Sequence, residues 1–269
     1  MGLLIGTQLY GWGQRFALDN KSLPDHYEHV LSAIAEMGMQ TAEECIPASD
    51  ADFPRRWADL LRFYGLQPSS LYCGGAFHEE ALAAGTIAAL LPLAEAMAEA
   101  GFTSLSLNPD PIGREKTDAE LAVQAEKLQE LGEALVSLGI SLGLHNHTPE
   151  MLGGGREFHH NLRDTDPALV GLNMDVDWCR RGGGDPYALY EQYKDRIVSL
   201  HVRQSRGGIW LEEFSEGDLD YRPLLADLVA RGFTGPVLLE IAVEEETVFT
   251  RDVFEDHRRS VEYLRSLVG

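Results

Sequence analysis

Apolar and polar positions along this chain fall into two alternating rhythms. Tyr27, Val30, Leu31 and Ile34 recur every three to four residues, which lays them on one helical face, and Leu121, Leu128, Leu131 and Leu135 do the same. Between such stretches lie short apolar runs with no polar alternation. Five segments share one grammar: EMGMQTAEECI, FYGLQPSSLYC, EAGFTSLSLNP, SLGISLGLHNH and ARGFTGPVLLEIA. Each ends a helix, passes through a glycine (Gly38, Gly65, Gly101, Gly139 or Gly232) and continues into an apolar, β-rich run. Glycine just past a helix suits the left-handed position where a Cβ would clash. A short run that is apolar on both faces predicts a strand of a parallel sheet covered on both sides. Three further runs, LLIGTQLY, LVGLNMDVD and RIVSLHVR, read as strands without the glycine. Ser22–Leu–Pro–Asp25 reads as a helix-capping sequence and Thr117–Asp–Ala–Glu120 as a capping box.

The count is eight strands alternating with helices, the weakest helix following strand 5. Eight such units in 269 residues predict an α/β protein, a single (β/α)8 TIM barrel domain over residues 1–269. An open doubly wound sheet would carry a phosphate-binding glycine fingerprint after its first strand, and GTQLYGWGQ is not one.

Charge narrows the partners. With 22 Lys plus Arg against 43 Asp plus Glu, the formal net charge is −21, which repels nucleic acid and anionic membrane surfaces. Cys45, Cys73 and Cys179 are too sparse for a disulfide framework or a zinc knuckle. The opening MGLLIGTQLYGWGQ has no basic leader, and no apolar run approaches the roughly 18 residues of a membrane helix. A cytoplasmic protein with a small-molecule partner is expected. The helical exterior of a barrel leaves room for a homodimer or tetramer.

Barrel chemistry belongs at the C-terminal strand ends, and the unusual polar residues collect there. Strand 2 ends in Glu43 and Glu44, strand 4 in Asn108, strand 5 in His145 and His147, strand 6 in Asp175 and Asp177, strand 7 in His201, strand 8 in Glu240. Residues two apart share a strand face, so His145 should point with His147, and Asp175 with Asp177. In LGLHNHTPE, Glu150 follows close behind. Any one of these residues has an ordinary explanation, a bonded core histidine or a helix cap. Together they aim several charges into one mouth, where unpaired carboxylates would cost several kcal/mol. One divalent cation removes that cost. Mixed carboxylate and imidazole donors suit Mn2+ first, then Co2+, Zn2+ or Fe2+, ahead of Mg2+.

The succession LGLHNHTPE, MDVDW, LHVR and LLE, with QLYGWGQ and EGDLDYRPLL, resembles the xylose isomerase-like superfamily of TIM barrels across nearly the whole chain. That superfamily holds sugar (phosphate) isomerases and epimerases, inosose dehydratase-like lyases and endonuclease IV. The resemblance implies a metal held by Glu150, Asp175, His201 and Glu240. Two departures stand out: Trp178 occupies a position where many members carry His, and His201–Val–Arg203–Gln204 replaces a frequent His followed by Lys–Asp.

What the resemblance implies chemically is an enediolate mechanism on a ketose or keto-sugar, with Glu150 and Glu240 removing and returning a proton. The outcome is epimerisation or isomerisation; expulsion of a β-hydroxyl would make the same site a lyase acting on a keto-sugar or keto-inositol. His145, His147, Trp12, Asn108, Trp178, Arg203 and Trp210 are candidate substrate contacts. Phosphate binding is disfavoured by Glu244–Glu246 after strand 8. An endonuclease IV-like role needs more histidines and a basic surface, and a non-catalytic sugar-binding barrel would have lost a ligand position.

Overall fold

Gly38, Gly65, Gly101, Gly139 and Gly232 all adopt positive φ, between 67° and 83°, and each ends a helix ahead of a strand or the run leading into one. The computed structural model describes residues 2–46 and 50–268. The strands are β1 (Leu4–Gln8), β2 (Thr41–Glu43), β3 (Ser70–Gly75), β4 (Ser104–Pro109), β5 (Ser141–His145), β6 (Val170–Asp175), β7 (Ile197–Val202) and β10 (Pro236–Leu239), with a small hairpin of β8 (Ser205–Arg206) and β9 (Ile209–Trp210). The eight main strands are ordered β2-β1-β10-β7-β6-β5-β4-β3 with helices between them. Contacts within the chain group into two compact units, and β7 has residues in both.

The first unit comprises residues up to Glu44, Leu60–Gln67 and everything from Leu200. Its helices are α1 (Tyr10–Leu18), α2 (Tyr27–Glu36), α9 (Arg222–Ala230) and α10 (Val253–Val268). β1 pairs with β10 (Thr7 opposite Leu239) and with β2 (Gln8 opposite Glu43), and β10 pairs with β7 (Leu238 opposite His201). Val30, Leu31 and Ile34 are buried as their spacing predicts. The residues Ser22–Asp25 do not cap α2: Pro24–His26 form a 3-10 turn, and the residue preceding α2, His26, makes no side-chain cap bond. Proline at the first position of that turn fixes φ and favours the tighter coil.

The second unit spans Cys45–Asp59 and Pro68–Ser199. Helix α3 (Phe53–Phe63) begins in it, and α4 (Glu80–Ala100), α5 (Asp118–Ser137), α6 (Thr148–Arg163), α7 (Val176–Arg181) and α8 (Pro186–Tyr193) lie wholly inside it. Leu107, Leu144 and Leu172 face one another across β4, β5 and β6 and are all buried. Burying each contributes about 1.5–3 kcal/mol. The Thr117–Glu120 capping box forms, and Leu121, Leu128, Leu131 and Leu135 form the buried stripe of α5. One expectation needs correction: α4 is by length and composition apolar enough to cross a membrane. It packs on α5 and buries Ala83, Ile87, Leu90, Leu93, Ala94 and Met97, the habit of a core helix.

The weak helix expected after strand 5 has a local cause. α6 is broken at Leu152 (ψ 157°) and then at Gly153, Gly154 and Gly155, all with positive φ. A run of left-handed residues cannot continue a right-handed helix.

Candidate active site

Two clusters of polar side chains gather at strand ends, one in each unit. In the first, His201 on β7 is fully buried, as is Glu43 at the end of β2. The imidazole Nε2 lies 3.0 Å from Glu43 Oε2 and Nδ1 lies 2.6 Å from Glu240 Oε2. Glu240, directly after β10, places its other oxygen 2.6 Å from Arg203 Nη2. The Arg203 guanidinium lies 4.5 Å from the centre of the Trp210 ring, a cation–π contact, and the Arg203 carbonyl accepts a bond from Tyr221 Oη. Burial opposes a charge on His201, but the Glu43 and Glu240 carboxylates outweigh it and push the imidazole up to about 10. Two carboxylates therefore meet two cations, and this cluster is neutral as it stands.

In the second unit, the HNH sequence separates into three tasks. His145 ends β5, buried, its ring edge-on to Tyr72 and 4.6 Å from the ring of His147. Asn146 clamps the neighbouring strand: its Nδ2 donates to Asp175 O at 3.1 Å and its Oδ1 accepts from Asp175 N at 3.0 Å. His147 is half-buried, its Nδ1 2.7 Å from Asn108 Oδ1 and its ring edge-on to Trp178. Glu150 sits in the first turn of α6, where Oε2 accepts from the His147 amide at 2.7 Å. Its Oε1 is buried with no hydrogen-bond partner among the described residues. Burial drives the Glu150 carboxyl up to about 7.

Asp175 caps α7, its Oδ1 accepting from Trp178 N at 2.9 Å. Asp177 does not share a strand face with it, contrary to expectation. The chain turns helical at Val176, which puts Asp177 in the first turn of α7, 2.9 Å from Arg180 Nε. Trp12 lies wholly inside the core, stacked on His257 with ring centres 4.0 Å apart. Trp178 is half-buried and Trp210 nearly buried.

Of the ligand positions implied by the sequence resemblance, His201 and Glu240 lie in the first unit's cluster and Glu150 and Asp175 in the second's, and all four are buried, as is His145 beside the latter pair. Sequence reasoning undervalued Glu43 and Asn146. Two acids at the end of strand 2 marked the place of the first; the partners of the second depend on which strand lies beside β5.

Residues 31–267 match the family described as xylose isomerase-like TIM barrel. The chain belongs to that family. Its fold is the (β/α)8 TIM barrel. It is 26% identical over 257 residues to the inosose dehydratase of Geobacillus kaustophilus (strain HTA426), spanning 82% of each chain. Among solved structures it is similar to a sugar phosphate isomerase/epimerase from Parabacteroides distasonis ATCC 8503, with a TM-score of 0.80 and 21% identity over 98% of this chain and 95% of that one. It is also similar to the 3-keto-D-glucoside 4-epimerase YcjR from E. coli, with a TM-score of 0.72 and 17% identity over 98% and 99%. At these identities the two structures share its fold.

Proposed function

We propose that this xylose isomerase-like barrel is a divalent-metal-dependent sugar isomerase or epimerase, acting on a ketose or keto-sugar by moving a proton on a carbon beside the carbonyl. The observation that carries the reading is the set of buried donors at the strand ends, His201 and Glu240 in the first unit and His145 and Asp175 in the second. Two imidazoles and two carboxylates are a mixture that fits Mn2+, Co2+, Zn2+ or Fe2+. When bound, the ion would polarise the substrate carbonyl and stabilise the enediolate.

The chain's own residues supply the rest. Glu150, whose carboxyl is pushed up by burial to about 7, suits both the removal and the return of a proton. Glu240, held between Arg203 and His201, is placed as the second proton carrier. Arg203 and Trp210, already in contact, form a cationic, aromatic wall against which a polyol can lie.

A second reading has its own support. The inosose dehydratase similarity runs over 82% of the chain, and dehydration of a keto-inositol begins with the same proton removal. Loss of a β-hydroxyl from the enediolate then replaces reprotonation.

The deciding experiment measures metal in the purified protein by elemental mass spectrometry, beside Glu240→Gln, and solvent deuterium uptake into ketoses and an inosose. About one Mn, Co, Zn or Fe per chain, reduced in the variant, is expected. Deuterated ketose supports the first reading; loss of water from the inosose supports the second. No metal after incubation with excess Mn2+ and Co2+ would overturn both.

A further inference from the structure

Gln204 follows Arg203 directly, at one of the two departures noted in the sequence, and is only 2% exposed. A glutamine amide has two N–H groups and two oxygen lone pairs, and here all four are committed inside the protein. Its Nε2 donates to the carbonyls of Ser215, at 3.1 Å, and Leu219, at 2.9 Å. Its Oε1 accepts from the amides of Ser205, at 3.0 Å, and Leu219, at 3.2 Å. Turning the amide over would set oxygen against carbonyl and nitrogen against N–H, so it fits in one sense only. A side chain so occupied has nothing left for a substrate. It clasps the two ends of the segment 205–219 instead.

The stretch EGDL, part of the sequence resemblance, supplies the far side of the clasp. Gly217 passes close over Gln204: a Cβ there would stand 2.2 Å from the Ser205 carbonyl oxygen and 2.5 Å from the glutamine side chain. Asp218 accepts from the amides of Gly207 and Gly208, both at 2.8 Å, at the tip of the β8–β9 hairpin. Its own amide donates to the Ser205 carbonyl at 2.7 Å, and the Leu211 amide donates to the Gln204 carbonyl at 2.9 Å. These bonds bracket Trp210, which is 7% exposed with its ring against the Arg203 guanidinium. From the loop after β10, Glu244 Oε1 accepts from the Trp210 amide at 2.7 Å, and Thr247 Oγ1 donates to its carbonyl at 3.1 Å.

We propose that Gln204 is a positioning residue: by clasping the segment 205–219 it holds Trp210 against Arg203 and sets this wall of the sugar site before substrate arrives. The clasp stands on the bonds above; its bearing on turnover rests on the sugar-enzyme reading. A wall fixed in advance serves substrate and transition state alike, so its loss falls on KM rather than on kcat.

Two readouts separate the clasp from the function. In the purified protein, the fluorescence of Trp210 is isolated by difference against Trp210→Phe made in each background. Gln204→Met keeps the volume and removes the four bonds, so Trp210 emission should shift to the red and its quenching by acrylamide should rise. Asp218→Ala, a milder change on the exposed tip, should move both the same way by less, and it decides the matter if Gln204→Met does not fold. Emission and quenching that stay at the wild-type values overturn the clasp, whatever the enzyme's reaction. With an inosose as the probe substrate, Gln204→Met should raise KM about five- to tenfold, the worth of one cation–aromatic contact, with kcat within about twofold. Trp210→Ala should do the same, and the double variant should be no worse than Trp210→Ala alone, because Gln204 acts through Trp210. Additive losses, or a loss confined to kcat, overturn the positioning role. Absence of turnover in the wild type counts against the function and the wall together, and the emission still decides the clasp.

Discussion

Glu150 shows how much of a residue's chemistry lies in where the chain puts it. On sequence it is an acid after two histidines; in the fold it is desolvated, and its carboxyl is pushed up to about 7. An acid whose pKa is higher folded than unfolded favours folding in its protonated form. Stability from this group is therefore full below about pH 4.5 and declines as pH rises toward 7 and beyond. Glu150→Gln keeps an acceptor for the His147 amide and removes the buried charge. In chelator-treated protein it should unfold like the wild type at pH 4 and gain roughly 2–3 kcal/mol at pH 8, read by denaturant melts at both pH values. Metal capture carries a pH dependence of the other sense. His201 is held protonated up to about pH 10 by Glu43 and Glu240, and an ion must displace that proton. Apparent affinity should rise about tenfold per pH unit between pH 6 and 8, measured by competition with a chelator. A flat profile would show that His201 is not a ligand.

Elements were legible in the sequence wherever a local rule decides them. The five helix-ending glycines located five strands because a left-handed residue is a property of one position. Thr117–Glu120 forms its box because all its partners lie within one turn. The misread cap before α2 and the misplaced Asp177 fail for one reason: both were read from spacing, and spacing does not say where a strand or helix stops. Asn146 and Glu43 were underrated because their roles exist only across strands, with partners 29 or more residues away. Packing between elements carries its own test. A Cβ at Gly132 on α5 would stand 2.5 Å from the backbone oxygen of Leu169, which leads into β6. Backbone cannot swing aside as a side chain does. Gly132→Ala should therefore cost about 1–3 kcal/mol in chemical denaturation, although alanine is the better helix former.

At the scale of the molecule, composition and outcome agree only in part. A net charge of −21 argued against polyanion partners, but it said nothing of the charges withdrawn from solvent. The expectation that strand-end carboxylates stand unpaired does not hold in the first unit, where His201 and Arg203 balance Glu43 and Glu240. Removing one member leaves a buried charge without its counterpart. Arg203→Met should cost about 3–5 kcal/mol, and adding Glu240→Gln to it should recover much of that loss, compared by thermal and denaturant melts of the single and double variants. If the double variant is merely the sum of the two, the four residues are not coupled. Coupling of this kind constrains descent as well as stability. A lineage that changes one of the four passes through a weakened intermediate before any second change can rescue it, so Glu43, His201, Arg203 and Glu240 should drift together or not at all, inherited as a single character.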